Sequence, residues 1–130
     1  MGIKPATRAI FINASADDIK AIDPPDLKIA SSLRGDFDYI HLFAISKAGL
    51  KKKFPMLKNH LKPTGTLWIS WPKGGKHGTD LTLPKVIKIG YDYGLVESKT
   101  LSVNTIWSAL KFTHPKKGKV YNNSYGKLKK

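Results

Sequence analysis

Cysteine is absent from the 130 residues. That excludes disulfides and thiolate metal sites, and it leads us to expect a cytoplasmic protein. Acid is scarce: nine Asp and Glu stand against 23 Lys and Arg, for a formal net charge of +14. Arginine is scarcer still. Only Arg8 and Arg34 carry a guanidinium, and the other basic residues are lysines. Base readers and bidentate phosphate clamps favour the Arg fork, so this excess reads as general attraction to anions rather than sequence readout. No apolar run approaches the roughly 18 residues of a membrane span, so no membrane role is expected. Met1–Pro5 lacks the apolar segment of a secretory leader, and none is expected.

What is present is a domain's worth of apolar residues. A 41% hydrophobic content with three Trp argues for a folded core, and the length fits one domain. Charge is unevenly placed. Residues 1–38 hold five basic and six acidic residues, whereas 39–130 hold eighteen Lys and three acids. Such asymmetry points to a face or tail that attracts an anionic partner, nucleic acid or acidic protein.

The apolar runs set the order of elements. Ala9–Ala14 and Phe37–Ile45 are near-continuous and read as strands buried on both faces. Leu27–Ser31 is a weaker strand between them. Ser15, Asp17 and Asp18 suit a helix start that Asp23-Pro24-Pro25-Asp26 stops. Ser46 can cap a helix whose apolar stripe is Leu50, Phe54, Leu57 and Leu61, with Lys51, Lys52 and Lys53 outside. Pro55 is expected to kink or split it, and Pro63-Thr64-Gly65 to end it. Thr66–Trp71 is a further strand, breaking at Pro72 into the loop Lys73-Gly74-Gly75-Lys76. Thr82, with Pro84 in the first turn, opens another helix that Gly94 closes. Leu95–Val103 and Trp107–Thr113 read as an antiparallel pair. Residues 1–115 are then one Rossmann-like α/β domain, and 116–130 a basic, mobile tail.

This succession looks like a shortened class I methyltransferase fold. The resemblance implies a mostly parallel sheet with one antiparallel strand, in the order 2-1-3-4-6-5. Gly2-Ile3-Lys4-Pro5, Leu57 through Gly65, Trp68-Ile69-Ser70-Trp71-Pro72-Lys73, Thr79-Asp80-Leu81-Thr82 and Trp107-Ser108-Ala109-Leu110 also resemble blocks of a bacterial family of small domains of unknown function. Its chains carry a methyltransferase-like core, and Asn104 stands where that family often has Asp.

Ligands of open α/β sheets bind outside the carboxyl ends of the strands. An adenosyl or dinucleotide site wants glycines after the first strand, and here the chain reads Asn13-Ala14-Ser15. That absence argues against a resident cofactor. Gly75-Lys76 fits a phosphate loop poorly, since Ser70 stands at the first Gly and His77 at the Ser/Thr. A looser anion cradle from Lys73, Gly74, Gly75 and Lys76 remains. Lys73 and Asp80 are expected to face each other across the loop, and Asp80 is an alternative cap for the following helix. The four histidines lack metal-site spacing, and His41 reads as a hydrogen-bonded core residue.

The leading expectation is a non-catalytic binding or regulatory module for an anionic partner. Its contacts would come from the loop, from Lys51, Lys52 and Lys53, and from Lys116, Lys117, Lys119 and Lys127, with Tyr121 and Tyr125 interleaved for stacking. The alternative is a small enzyme of degenerate methyltransferase type. It would hold an adenosyl or phosphorylated ligand among Asn13, Ser15, Ser46, Trp71, Lys73 and Asp80.

Overall fold

In the computed structural model of the chain, the residues described are 8–13, 28–29, 34–103 and 106–115; for 28–29 and 75–77 only the backbone is described. The expected first helix, Ser15 and the tail lie outside them. The strands are β1 (Arg8–Ile12), β2 (Lys28–Ile29), β3 (Phe37–Phe43), β4 (Leu61–Pro72), β5 (Val96–Ser102) and β6 (Trp107–Thr113). The helices are α1 (Lys47–Asn59) and α2 (Leu83–Asp92), and a 3-10 turn covers Lys73–Gly78. The six strands form one sheet in the order β2-β1-β3-β4-β6-β5. Pairing is parallel from β2 to β4, and β6 runs antiparallel to both neighbours. This is a single α/β sheet of shortened Rossmann-like type.

Central position explains the unbroken apolar runs. β3 lies between two parallel neighbours, and six of its seven residues are buried, as a strand covered on both faces requires. Ile10, Ile40, Leu42, Leu67, Ile69 and Leu110 point to one face. There they meet Leu50, Phe54 and Leu57 of α1 and Val86, Ile87 and Ile89 of α2.

Helix chemistry follows the expected caps in part. The Ser46 hydroxyl accepts from the Gly49 N–H at 3.0 Å, satisfying an orphan donor of the first turn. α1 runs on through Pro55 rather than splitting. Proline cannot donate to the carbonyl four residues back, and that carbonyl, on Lys51, instead accepts from the Tyr93 hydroxyl at 3.4 Å. α2 ends at Gly94, whose φ is +86. Leu95 N–H donates to Gly90 O at 2.9 Å and Gly94 N–H to Tyr91 O at 3.0 Å, the paired bonds of a Schellman ending that favours glycine.

One boundary differs from the sequence reading. Helix α1 stops at Asn59, and Leu61 is the first residue of β4 rather than the last of the helical stripe. Pro63-Thr64-Gly65 therefore lies inside the strand. Pairing jumps from Phe37↔Leu61 to Tyr39↔Thr66, so the intervening residues bulge outward. A bulge tolerates a proline that a regular ladder would reject.

Candidate functional site

The order of strands fixes where a site belongs. From β1 the chain moves outward to β2, then returns to place β3 on the other side of β1. Between β1 and β3 lies the topological switch point, where sheets of this topology form their ligand crevice.

A cavity of about 290 Å³ sits at that point. Asn13, immediately after β1, Ala44, Ile45 and Ser46 after β3, and Gly49 and Lys53 of α1 form its wall. Phe43 and Trp107 close its inner side, their rings in edge contact with centroids 4.9 Å apart. Asn13 has φ 61 and is the one non-glycine residue with positive φ among the described residues. Asn tolerates this left-handed conformation better than most side chains. Asn13 thus takes, at the end of β1, a conformation that glycine adopts freely.

A second cavity of about 530 Å³ opens at the end of β4. Trp71, Lys73 and Gly74 border it, with Leu81, Thr82 and Leu83 at the start of α2, and residues of β5 and β6 opposite. The candidates read from sequence therefore divide. Asn13 and Ser46 belong to the switch-point cavity, whereas Trp71, Lys73 and Gly74 belong to the other. Gly75 and Lys76 fall within the 3-10 turn, and Ser15 is outside the described residues. Of the lysines expected to meet nucleic acid, Lys51 and Lys52 are exposed on α1 and Lys53 is half-buried at the cavity wall. Lys116, Lys117, Lys119 and Lys127 are outside the described residues.

The expected Lys73–Asp80 pair is not formed. Among the described residues the ion pairs are Lys62–Asp38 at 3.2 Å and Lys88–Asp92 at 3.0 Å. Asp80 instead accepts from the Lys47 N–H at 2.7 Å. It thereby caps the helix before it, not the one after. Beside it the Thr79 hydroxyl donates to the Ile45 carbonyl and accepts from the Leu81 N–H at 3.1 Å. Residues 79–81 thus staple the start of α1. Lys73 turns the other way: its amine donates to the Ser102 hydroxyl and its N–H to the Ile106 carbonyl at 2.8 Å.

Beneath the switch-point cavity lies a polar chain that the sequence reading did not assemble. His41 is fully buried. The Tyr39 hydroxyl is 2.8 Å from its Nδ1 and the Ser70 hydroxyl 2.6 Å from its Nε2. A neutral imidazole donates from one nitrogen and accepts at the other, and either hydroxyl can take the matching role. Burial lowers the His41 pKa to about 3 and pushes the Tyr39 hydroxyl up, so the chain is uncharged at neutral pH. His41 stacks on Phe43 with centroids 4.6 Å apart, which links it to the cavity wall. The period-2 alternation Tyr39-His41-Phe43 marks a common face, but placing Ser70 beside His41 needs the β3–β4 register.

Comparison with known proteins bears on the fold. No protein-family model matches the chain, and no curated sequence does, so the resemblance to a bacterial family of small domains has no support there. Solved structures do match. A ribosomal protein L11 methylase from Lactobacillus delbrueckii subsp. bulgaricus is similar at TM-score 0.54 and 16% identity, over 87% of this chain and 72% of that one. Magnesium protoporphyrin IX methyltransferase from Synechocystis PCC 6803, with SAM bound, matches at 0.59 and 10%, over 88% and 72%. A putative methyltransferase from Thermoplasma acidophilum matches at 0.58 and 8%, over 92% and 73%. At these identities the likeness establishes a methyltransferase-like core and nothing of activity.

Proposed function

We propose that the chain binds an adenosyl ligand of the S-adenosylmethionine type in the cavity at the β1–β3 switch point, as a reduced relative of the methyltransferase fold. The observation that carries this reading is Asn13. It holds a left-handed backbone directly after β1, at the wall of a cavity in the one crevice where sheets of this topology take their ligands. Two solved structures of similar fold, the Synechocystis enzyme with SAM and with SAH, were obtained with such ligands bound. The volume lies at the lower end of the roughly 300–1,000 Å³ usual for small-molecule pockets. Lys53, the ionisable side chain among the described wall residues, would meet the ligand's carboxylate. Calorimetric titration tests the reading with two variants. Asn13→Gly should keep affinity within about threefold, because glycine adopts the same backbone at no cost. Asn13→Val should lose at least about tenfold, because a β-branched residue resists positive φ. Equal affinity in both variants would contradict it.

The anionic-partner reading rests on a different observation, the exposed Lys51 and Lys52 of α1 on a chain of net charge +14. It requires affinity for an oligonucleotide or acidic protein that falls steeply as salt is added. Binding insensitive to salt, or none at low salt, would remove it.

A further inference from the structure

The larger cavity, at the end of β4, is richer in hydroxyl-bearing residues than the switch-point cavity, where Ser46 stands beside Lys53. Its apolar wall is Trp71 and Leu81, both part of the core layer under α1 and α2. Lys73, Thr82, Thr100, Ser102 and Ser108 also line it, and the strand register sets Thr100, Ser102 and Ser108 on the same face of the sheet as Trp71. Ser102 holds the lysine in place from the β5 side. Thr82 occupies the N-cap position of α2, yet its side chain makes no capping bond, and no acid stands in the first turn of that helix. Thr100 and Ser108 make no side-chain hydrogen bond to any described residue. Asp80 is the nearest acid in sequence, and its carboxylate is engaged at the start of α1. The site therefore gathers one cation and several uncommitted hydroxyls around an aromatic wall, with no carboxylate among the described lining residues.

We infer that this cavity is a second ligand site, for a small organic anion with an apolar or aromatic body ending in a phosphate monoester or carboxylate. Trp71 and Leu81 would cover the body, while Lys73, Thr82 and Ser108 would hold the charged end. An anion bonded to an ammonium group and neutral hydroxyls is among the stronger hydrogen-bonded arrangements. At about 530 Å³ the space suits a ring with its substituent. The protein's net charge of +14 would draw anions toward it in general. The cavity's own signature must then be that body and charge are both needed. Its occupancy does not depend on an adenosyl ligand, because the two cavities share no described lining residue.

The test is a residue-resolved NMR titration of the full chain, without S-adenosylmethionine, using phenyl phosphate, phenol and inorganic phosphate as probes. Phenyl phosphate should give saturable shifts at Trp71, Leu83, Thr100 and Ser108, with phenol and inorganic phosphate each at least about tenfold weaker. Lys73→Ala should weaken phenyl phosphate about tenfold, the worth of a charged hydrogen bond. Thr100→Trp, an exposed strand position that suits an aromatic residue, should fill the cavity and abolish the shifts while the remaining spectrum stays native. Equal binding of inorganic phosphate and phenyl phosphate would overturn the inference. So would shifts spread over the lysines of α1, unchanged affinity in Lys73→Ala, or unchanged shifts in Thr100→Trp.

Discussion

The two faces of this sheet are built on different physics. Under α1 and α2 the contact is hydrocarbon against hydrocarbon, a layer of Ile, Leu, Val and Phe side chains. On the other face Ala9, Tyr39, Trp68 and Ala109 surround a buried imidazole held between two hydroxyls. The first face is held by area removed from water and is indifferent to pH. The second depends on the imidazole keeping both hydroxyl partners, since an unmatched group in a dry interior costs its full desolvation. The buried Trp68 Nε1 on this face nevertheless has no partner among the described residues. Both faces reach the candidate site: His41 stacks on Phe43 at the cavity wall, and Leu42 with Gly49 and Lys53 of α1 line it from the hydrocarbon side.

Breaking the hydrocarbon face should have the largest effect. Phe54 is fully buried, stacks on Tyr93 and meets Phe112 edge-on. Phe54→Ala should cost about 3–5 kcal/mol in urea unfolding, by nearly the same amount at pH 7 and pH 4.5. The polar face should reveal itself through pH. In the unfolded chain His41 gains a proton below about 6.5, whereas in the folded protein it waits until about 3. Between those values the unfolded state holds more protons at this site, so the His41 contribution to stability falls as pH falls through the window and is level above it. The contribution approaches about 1.4 kcal/mol per pH unit. His41→Phe, which keeps a stacking ring, should remove that part of the slope, whereas Phe54→Ala should leave it. Identical slopes in wild type and His41→Phe would break the contrast between the faces.

A single hydroxyl sharpens the contrast further. Ser70→Ala leaves one imidazole nitrogen without its partner and should cost about 1–3 kcal/mol, although it removes only one atom. The smallest effect is expected away from both faces. Asp80→Ala exposes the first N–H of α1 and should cost about 1 kcal/mol in thermal or urea unfolding, whereas Asp80→Asn, still able to accept, should cost less.

Much of this architecture was legible beforehand, for stated reasons. Continuous apolar runs mark doubly covered strands, so β1 and β3 followed from them, while the order of the whole sheet followed from the resemblance to a shortened methyltransferase fold. Ser46, Thr82 and Gly94 stood out as helix ends because capping is local chemistry. What could not be read depends on register or on contacts distant in sequence. Leu61 continues the helical spacing of Leu57 but belongs to β4, since spacing alone cannot say where a helix stops. Asp80 was expected to meet Lys73 or its own following helix, and it reaches back to Lys47, 33 residues earlier. The missing glycines after β1 looked disqualifying, yet Asn13 takes a conformation that glycine adopts freely. Thr100 carries no motif and Ser108 was read only as part of the Trp107–Leu110 block; the two converge because β5 and β6 pair beside β4.

The most direct test is a residue-resolved NMR titration of the wild-type chain with S-adenosylmethionine at moderate salt. Saturable shifts confined to Asn13, Ala44–Gly49, Lys53 and Trp107, with the Thr100 and Ser108 signals unmoved, are the expected result. No shift at Asn13, or shifts scattered over exposed lysines and lost on adding salt, would contradict an adenosyl site at the switch point.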